Sequence, residues 1–309
     1  MNESPEMHPG AQPPREGPRL PFLRRIGPVQ FTFFALALIF VLYQVVGGVI
    51  TIVVARGEIT LSNVTLVRWA TLLGQLLFIL VPTIWLARER HGDLPVFFRL
   101  QIPEVRHLVA TMVAVFALQQ MLQAYMIAQD MIPLPPDLQR VLDTLKKLLE
   151  DTERLLVQAN APGEFLFVLI VVAFVPAVSE ELLFRGLVQR NLEAAAGWRG
   201  PVITGVIFGL YHFNPFTLVP LVALGVYFGF MVYRSGNITL SISAHFFNNF
   251  VAVAATYLRL DDNFVAVAPG AAPTLTLAAT NFALFALVFV AATLYFINST
   301  GHDEAGEPS

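Results

Sequence analysis

The chain has 309 residues, a formal net charge of −3 at pH 7 and no cysteine. That excludes disulfides, thiolate metal sites and cysteine nucleophiles, and gives no electrostatic ground for a nucleic-acid partner. Hydrophobic residues make up 56% and charged residues 13%, about half the charged share of a soluble domain, so the lipid bilayer is the expected surrounding.

Residues 1–30 are rich in Pro and Gly and lack a continuous apolar run. They read as a disordered cytoplasmic tail with Arg15, Arg19, Arg24 and Arg25 close to the membrane. The first apolar run comes too late and is too long for a cleavable signal peptide. A membrane helix needs about 20 apolar residues. The segments 31–54, 64–87, 108–128, 164–188, 238–258 and 276–297 meet that length. Between Pro201 and Tyr233 the apolar sequence is interrupted by "NPF" at 214–216 and is short for two full spans. It predicts two short helices that return the chain to the side it left. The expected fold is all-α: a polytopic bundle of about eight membrane helices over 31–298, with a short cytoplasmic tail at 299–309.

The Lys/Arg bias gives the orientation. With the amino terminus cytoplasmic, inner segments hold Arg15, Arg19, Arg24, Arg25, Arg88, Arg90, Arg99, Arg106, Arg190, Arg199 and Arg234. Outer segments hold Arg56, Arg140, Lys146, Lys147, Arg154 and Arg259. Both termini are then inside, and the expected place is a bacterial plasma membrane. The long outer loop contains "PDLQRVLDTLKKLLEDTERLLVQ", 136–158, whose leucines recur at helical spacing. It reads as a helix on the membrane surface or against the bundle.

Ionisable groups inside a membrane segment cost a few kcal/mol each and usually face a partner or a cavity. They are few here: Arg68, Glu180, Glu181, Arg185, His212 and His245, with Asn248 and Asn249 beside them. Arg68 lies near the outer end of its helix, where it is expected to snorkel to the headgroups. Counted from the inner helix ends, Glu180, His212 and His245 fall roughly 13–17 Å deep, in one layer. Glu181 and Arg185 are four apart with the acid first, the favourable pairing order. They are expected to neutralise each other and leave Glu180 free. His245 and Asn249 share a helix face.

Three motifs hold these residues: "EELLFR" at 180–185, "FGLYH" at 208–212 and "HFFNN" at 245–249. Their order and spacing resemble the CAAX prenyl protease and bacteriocin-processing (Abi) family of intramembrane endopeptidases, over about 164–258. The resemblance implies hydrolysis of a peptide bond in a membrane-associated or lipidated protein or peptide. It assigns Glu180 and His212 to water activation and His245 and Asn249 to the oxyanion site. It gives Glu181, Arg185 and Phe208 supporting roles, Phe208 by packing against the His212 ring. Prenylated proteins, leader-bearing peptides and transmembrane anchors all fit a cytoplasm-facing site.

The chemistry agrees with these assignments. Hydrolysis needs a base for water, donors for the oxyanion and a proton for the leaving amine. A metal-free glutamate mechanism is the expectation. Zinc held by Glu180, His212 and His245 is the alternative, although no H-E-x-x-H helix is present. A proton-coupled transporter would more often show repeated halves, which are not found. A silent scaffold or immunity protein would lose Glu180 or His212, and neither is lost.

Overall fold

A computed structural model describes residues 20–91, 93–260 and 274–300. Nine helices longer than ten residues run through them. They are α1 (Pro28–Ala55), α2 (Val64–His91), α3 (Val105–Asp130), α4 (Pro136–Val157), α5 (Pro162–Ala196), α6 (Arg199–Leu210), α7 (Leu218–Ser235), α8 (Ile238–Tyr257) and α9 (Leu275–Thr300). All except α4 and α6 are long and apolar enough to cross a membrane. There are no strands among the described residues. The chain is a polytopic membrane helix bundle with seven long helices and one short apolar helix.

The eighth membrane helix is the short one, and its length matters. The 12 residues of α6 reach only about 18 Å at 1.5 Å per residue. That is shorter than a single span, and α7 carries the chain back. Two carbonyls of the turn between them take side-chain donors. Gln44 Nε2 of α1 donates to the Tyr211 carbonyl at 2.8 Å. Gln129 Nε2 of α3 donates to the Phe216 carbonyl at 3.1 Å. The hairpin is close-packed because Gly205 faces α7: a Cβ there would lie 2.4 Å from Val226 N.

Leu23 and the interior residues of α1, α2 and α5 form one apolar core with Phe208 and Ile238. Part of the expected tail thus belongs to the bundle. Pro21–Arg25 is a helical turn, Leu23 is buried, and Arg90 Nη1 donates to the Leu23 and Ile26 carbonyls at 2.8 and 3.1 Å. The disorder expected for 20–30 is corrected by these contacts; residues 1–19 and 301–309 lie outside the described residues.

Arg68 also departs from expectation. It does not snorkel: it is 1% exposed. Its guanidinium pairs with Glu164 at 2.7 Å and donates to the carbonyls of Leu156 at 2.9 Å, Leu155 at 3.0 Å and Gln158. Those carbonyls end α4, where a helix leaves its last acceptors unsatisfied. Arg68 therefore fastens the end of α4 to α2 and α5.

Candidate active site

α5 contains two stretches of π-helix, Leu169–Phe174 and Leu182–Gln189. Between them lies the turn that bears both glutamates. Wider turns of this kind shift the register of a helix and often accompany functional sites. They set Glu180 and Glu181 to different tasks. The Glu180 side chain is 13% exposed and the Glu181 side chain 0%.

Glu181 faces the protein interior. Arg185 Nη1 donates to its Oε1 at 2.7 Å, and both side chains are fully buried. Arg185 Nη2 also donates to the Gly225 carbonyl of α7 at 2.9 Å, and its guanidinium lies 4.6 Å from the Phe208 ring centroid. The expected pairing is present, but it is not closed. His245 Nδ1 also lies 2.9 Å from Glu181 Oε1. A carboxylate accepts, so Nδ1 carries the hydrogen and Nε2 is the ring's remaining nitrogen.

Glu180 faces a cavity of about 610 Å³. His212, Phe208, His245, Asn248 and Asn249 line it as well. The His212 Nε2 atom is 4.0 Å from Glu180 Oε2. His212 Nδ1 is 2.8 Å from the Phe208 carbonyl; a carbonyl only accepts, so this nitrogen is again the donor. Phe208 and His212 meet edge to face with centroids 4.7 Å apart. Asn249 Nδ2 donates to the Val172 carbonyl at 3.0 Å, inside the first π-helical stretch, and Asn249 Oδ1 accepts from Asn248 Nδ2 at 3.1 Å. One N–H of the Asn249 amide remains for a further acceptor.

All the residues assigned by motif are thus brought together, with Glu180, Phe208, His212, His245 and Asn249 at the cavity and Glu181 with Arg185 behind it. Others were not singled out. Gln75 and Tyr43 line the same cavity, and Gln75 Nε2 donates to Glu180 Oε1 at 3.3 Å. Glu180 is therefore not free of partners. Glu153 of α4 also lines the cavity and accepts from Asn214 Nδ2 at 3.2 Å. The only sequence signal for Gln75 was an amide in an otherwise apolar helix; for Glu153 there was none, because it sits in a run of charges.

The cavity also has a direction. Its lining includes Glu153, Leu156 and Val157 of α4, and Val171, Ala252 and Val253 toward the ends of α5 and α8 that adjoin α4. Leu187, Val188 and Val232, nearer the opposite ends, are buried in the core and do not line it. The opposite ends carry Arg90, Arg190, Arg199 and Arg234. The expectation of a cytoplasm-facing site is therefore at odds with the orientation taken from the same arginines. Depth counted along helices locates a layer but not the side on which it opens.

Residues 162–251 match the family described as type II CAAX prenyl endopeptidase Rce1-like. No curated protein and no solved structure matches the chain. The matched segment contains all three motifs and every residue assigned from them, so the similarity to the CAAX prenyl endopeptidases is confined to the part of the chain that forms the site.

Proposed function

We propose that the chain is an intramembrane endopeptidase that hydrolyses a peptide bond of a membrane-associated or lipidated protein or peptide. The match of residues 162–251 to the type II CAAX prenyl endopeptidase family supports intramembrane proteolysis as the activity. The observation that carries the mechanism is the facing of Glu180 Oε2 and His212 Nε2 at 4.0 Å. With Nδ1 protonated, neutral His212 offers a lone pair at Nε2. A water between the two acceptors can donate one hydrogen to each and keep a lone pair for attack.

The steps then balance as follows. The water oxygen bonds to the scissile carbonyl carbon, and its proton passes to Glu180. The carbonyl oxygen becomes an oxyanion, which Asn249 and His245 stabilise by donation. His245 donates through Nε2 in its doubly protonated form, with Glu181 accepting at Nδ1 and the oxyanion itself as the counter-charge. The proton held by Glu180 is passed, with His212 in reach, to the departing nitrogen. The C–N bond breaks to a carboxylic acid and an amine.

We propose that this chemistry runs without zinc. Two ligands of a tetrahedral zinc at 2.0–2.1 Å stand about 3.3 Å apart, closer than Glu180 and His212. Among the described residues no three His, Asp or Glu side chains are grouped closely enough to hold an ion. This spacing supports the metal-free reading, and no step is routed through zinc.

The test compares membrane proteomes of cells carrying the wild type and Glu180→Gln. Proteins that are intact only with Glu180→Gln are the substrates. Identical proteomes, with both forms present at equal level, overturn the reading.

A further inference from the structure

The family match begins at residue 162, yet α2 reaches into the site. Gln75 is 4% exposed, and its carboxamide is fully engaged. Its Oε1 accepts from the Ser179 hydroxyl at 2.7 Å. Its Nε2 donates to Glu180 Oε1 at 3.3 Å and to the Tyr43 hydroxyl oxygen at 3.2 Å. The orientation of the amide follows from chemistry. Turned over, it would set its carbonyl oxygen against the Glu180 carboxylate, an acceptor against an acceptor.

A carboxylate on a helix can rotate about its last bond and exchange its two oxygens. A buried donor fixed on a neighbouring helix removes that freedom. Gln75 takes Oε1, which leaves Oε2 as the oxygen opposite His212. Gln75 is itself fixed, by Ser179 on α5 and Tyr43 on α1, so it holds the carboxylate plane as well as the choice of oxygen.

We propose that Gln75 is a positioning residue for Glu180, supplied by a helix that carries none of the three motifs. The proposal rests on the reading of Glu180 as the base. A group that only glued α1, α2 and α5 together would affect folding, and not turnover by folded molecules.

The experiment uses the purified full-length chain in detergent. Its substrate is the intact protein that accumulates in Glu180→Gln membranes. Gln75→Met keeps length and volume but removes the donor. Gln75→Leu also removes the donor and adds no titratable group, so it serves if the Met variant does not fold. Tyr43→Phe removes the far contact of Gln75 and leaves the one to Glu180. Either Gln75 variant, as monodisperse protein, is expected to lose about tenfold to a hundredfold in kcat with KM within about twofold, the scale of a misplaced reacting group. Tyr43→Phe, which leaves the Ser179 and Glu180 contacts of Gln75 in place, is expected to lose less kcat than either Gln75 variant.

Unchanged kcat per folded molecule, a rise in KM alone, or an equal kcat loss in Tyr43→Phe overturns the proposal. Full cleavage by Glu180→Gln would instead overturn the base assignment, so the two failures are distinguishable.

Discussion

His245 is held by Glu181, the second glutamate of the pair: its Nδ1 lies 2.9 Å from Glu181 Oε1. The same oxygen takes Arg185 at 2.7 Å. Glu181 thus joins the charge pair beneath the site to a residue that lines it. A buried acid in this position fixes both the ring and its tautomer, as carboxylates behind functional histidines commonly do.

The two glutamates should therefore fail differently. Glu180→Gln keeps the shape and removes the base, so cleavage is expected to vanish while expression and thermal midpoint stay near wild type. Glu181→Gln leaves Arg185 buried without its counter-charge, which costs about 3–5 kcal/mol in comparable soluble cases. It also loosens His245, so stability and activity are both expected to fall. Thermal midpoint and cleavage rate measured on both variants check this. Equal stability losses would remove the division of labour.

This division was half legible in the sequence. The spacing of Glu181 and Arg185 gives their pairing, because four residues on a helix always share a face. The link to His245 was not legible, since nothing in a sequence says which of two adjacent acids a distant histidine will meet. Rotation of α5 decides that, and two π-helical stretches alter that rotation. The long helices could be read from apolar length alone. The shortness of α6 could be read only as a shortage of residues. Arg68 was misread because its depth is visible in sequence and its partners on α4 and α5 are not.

Arg68 gives a second prediction. Three contacts from one guanidinium hold the end of α4, and a fourth reaches Glu164 of α5. Arg68→Met is expected to cost on the order of 3 kcal/mol, since bonds to a charged donor are worth more than neutral ones. Cleavage of 136–158 by added protease, followed on intact membranes from the accessible side, should speed up. An unchanged digestion rate would mean that the apolar face of α4 suffices to hold it.

The helix order places both ends of the described chain on one side and α4 on the other. From the arginine bias we propose that the first side is cytoplasmic. The chain has no cysteine, so cysteines introduced at positions 100 and 150 can be labelled with a membrane-impermeant maleimide. Position 150 should react in intact cells and position 100 only after permeabilisation. The reverse pattern would invert the orientation and turn the cavity toward the cytoplasm.

Glu153 provides a pH dependence. Partial desolvation beside the cavity pushes its carboxyl above the usual range although the residue is exposed, with Glu150 adding to the effect; the hydrogen bond from Asn214 and the nearby His212 oppose it. The folded state then binds this proton more tightly than the unfolded state does. The sign follows: stability is greatest below the ordinary carboxylate range and declines as pH rises through the raised value. Glu153→Gln carries no such charge and should flatten that part of the profile. Thermal midpoints of both proteins across the acid-to-neutral range check it. Parallel profiles would show that α4 leaves Glu153 hydrated.

The metal question is decided by separating His245 from Asn249. Both histidines hold a hydrogen at Nδ1 against an acceptor, an arrangement that also suits metal ligands, so ring orientation does not discriminate. Ligand loss does. If His245 is an oxyanion donor, His245→Gln and Asn249→Ala should each lower kcat about a hundred- to thousandfold, the usual cost of one such donor. KM should change little, because the interaction forms in the transition state. Chelators should have no effect, and active protein should carry no stoichiometric zinc. A zinc held by Glu180, His212 and His245 would instead leave with His245→Gln and stay with Asn249→Ala. Elemental analysis of the three proteins, with activity measured before and after chelation, separates the cases. One zinc per active chain, lost only when a histidine or Glu180 is changed, would end the metal-free mechanism.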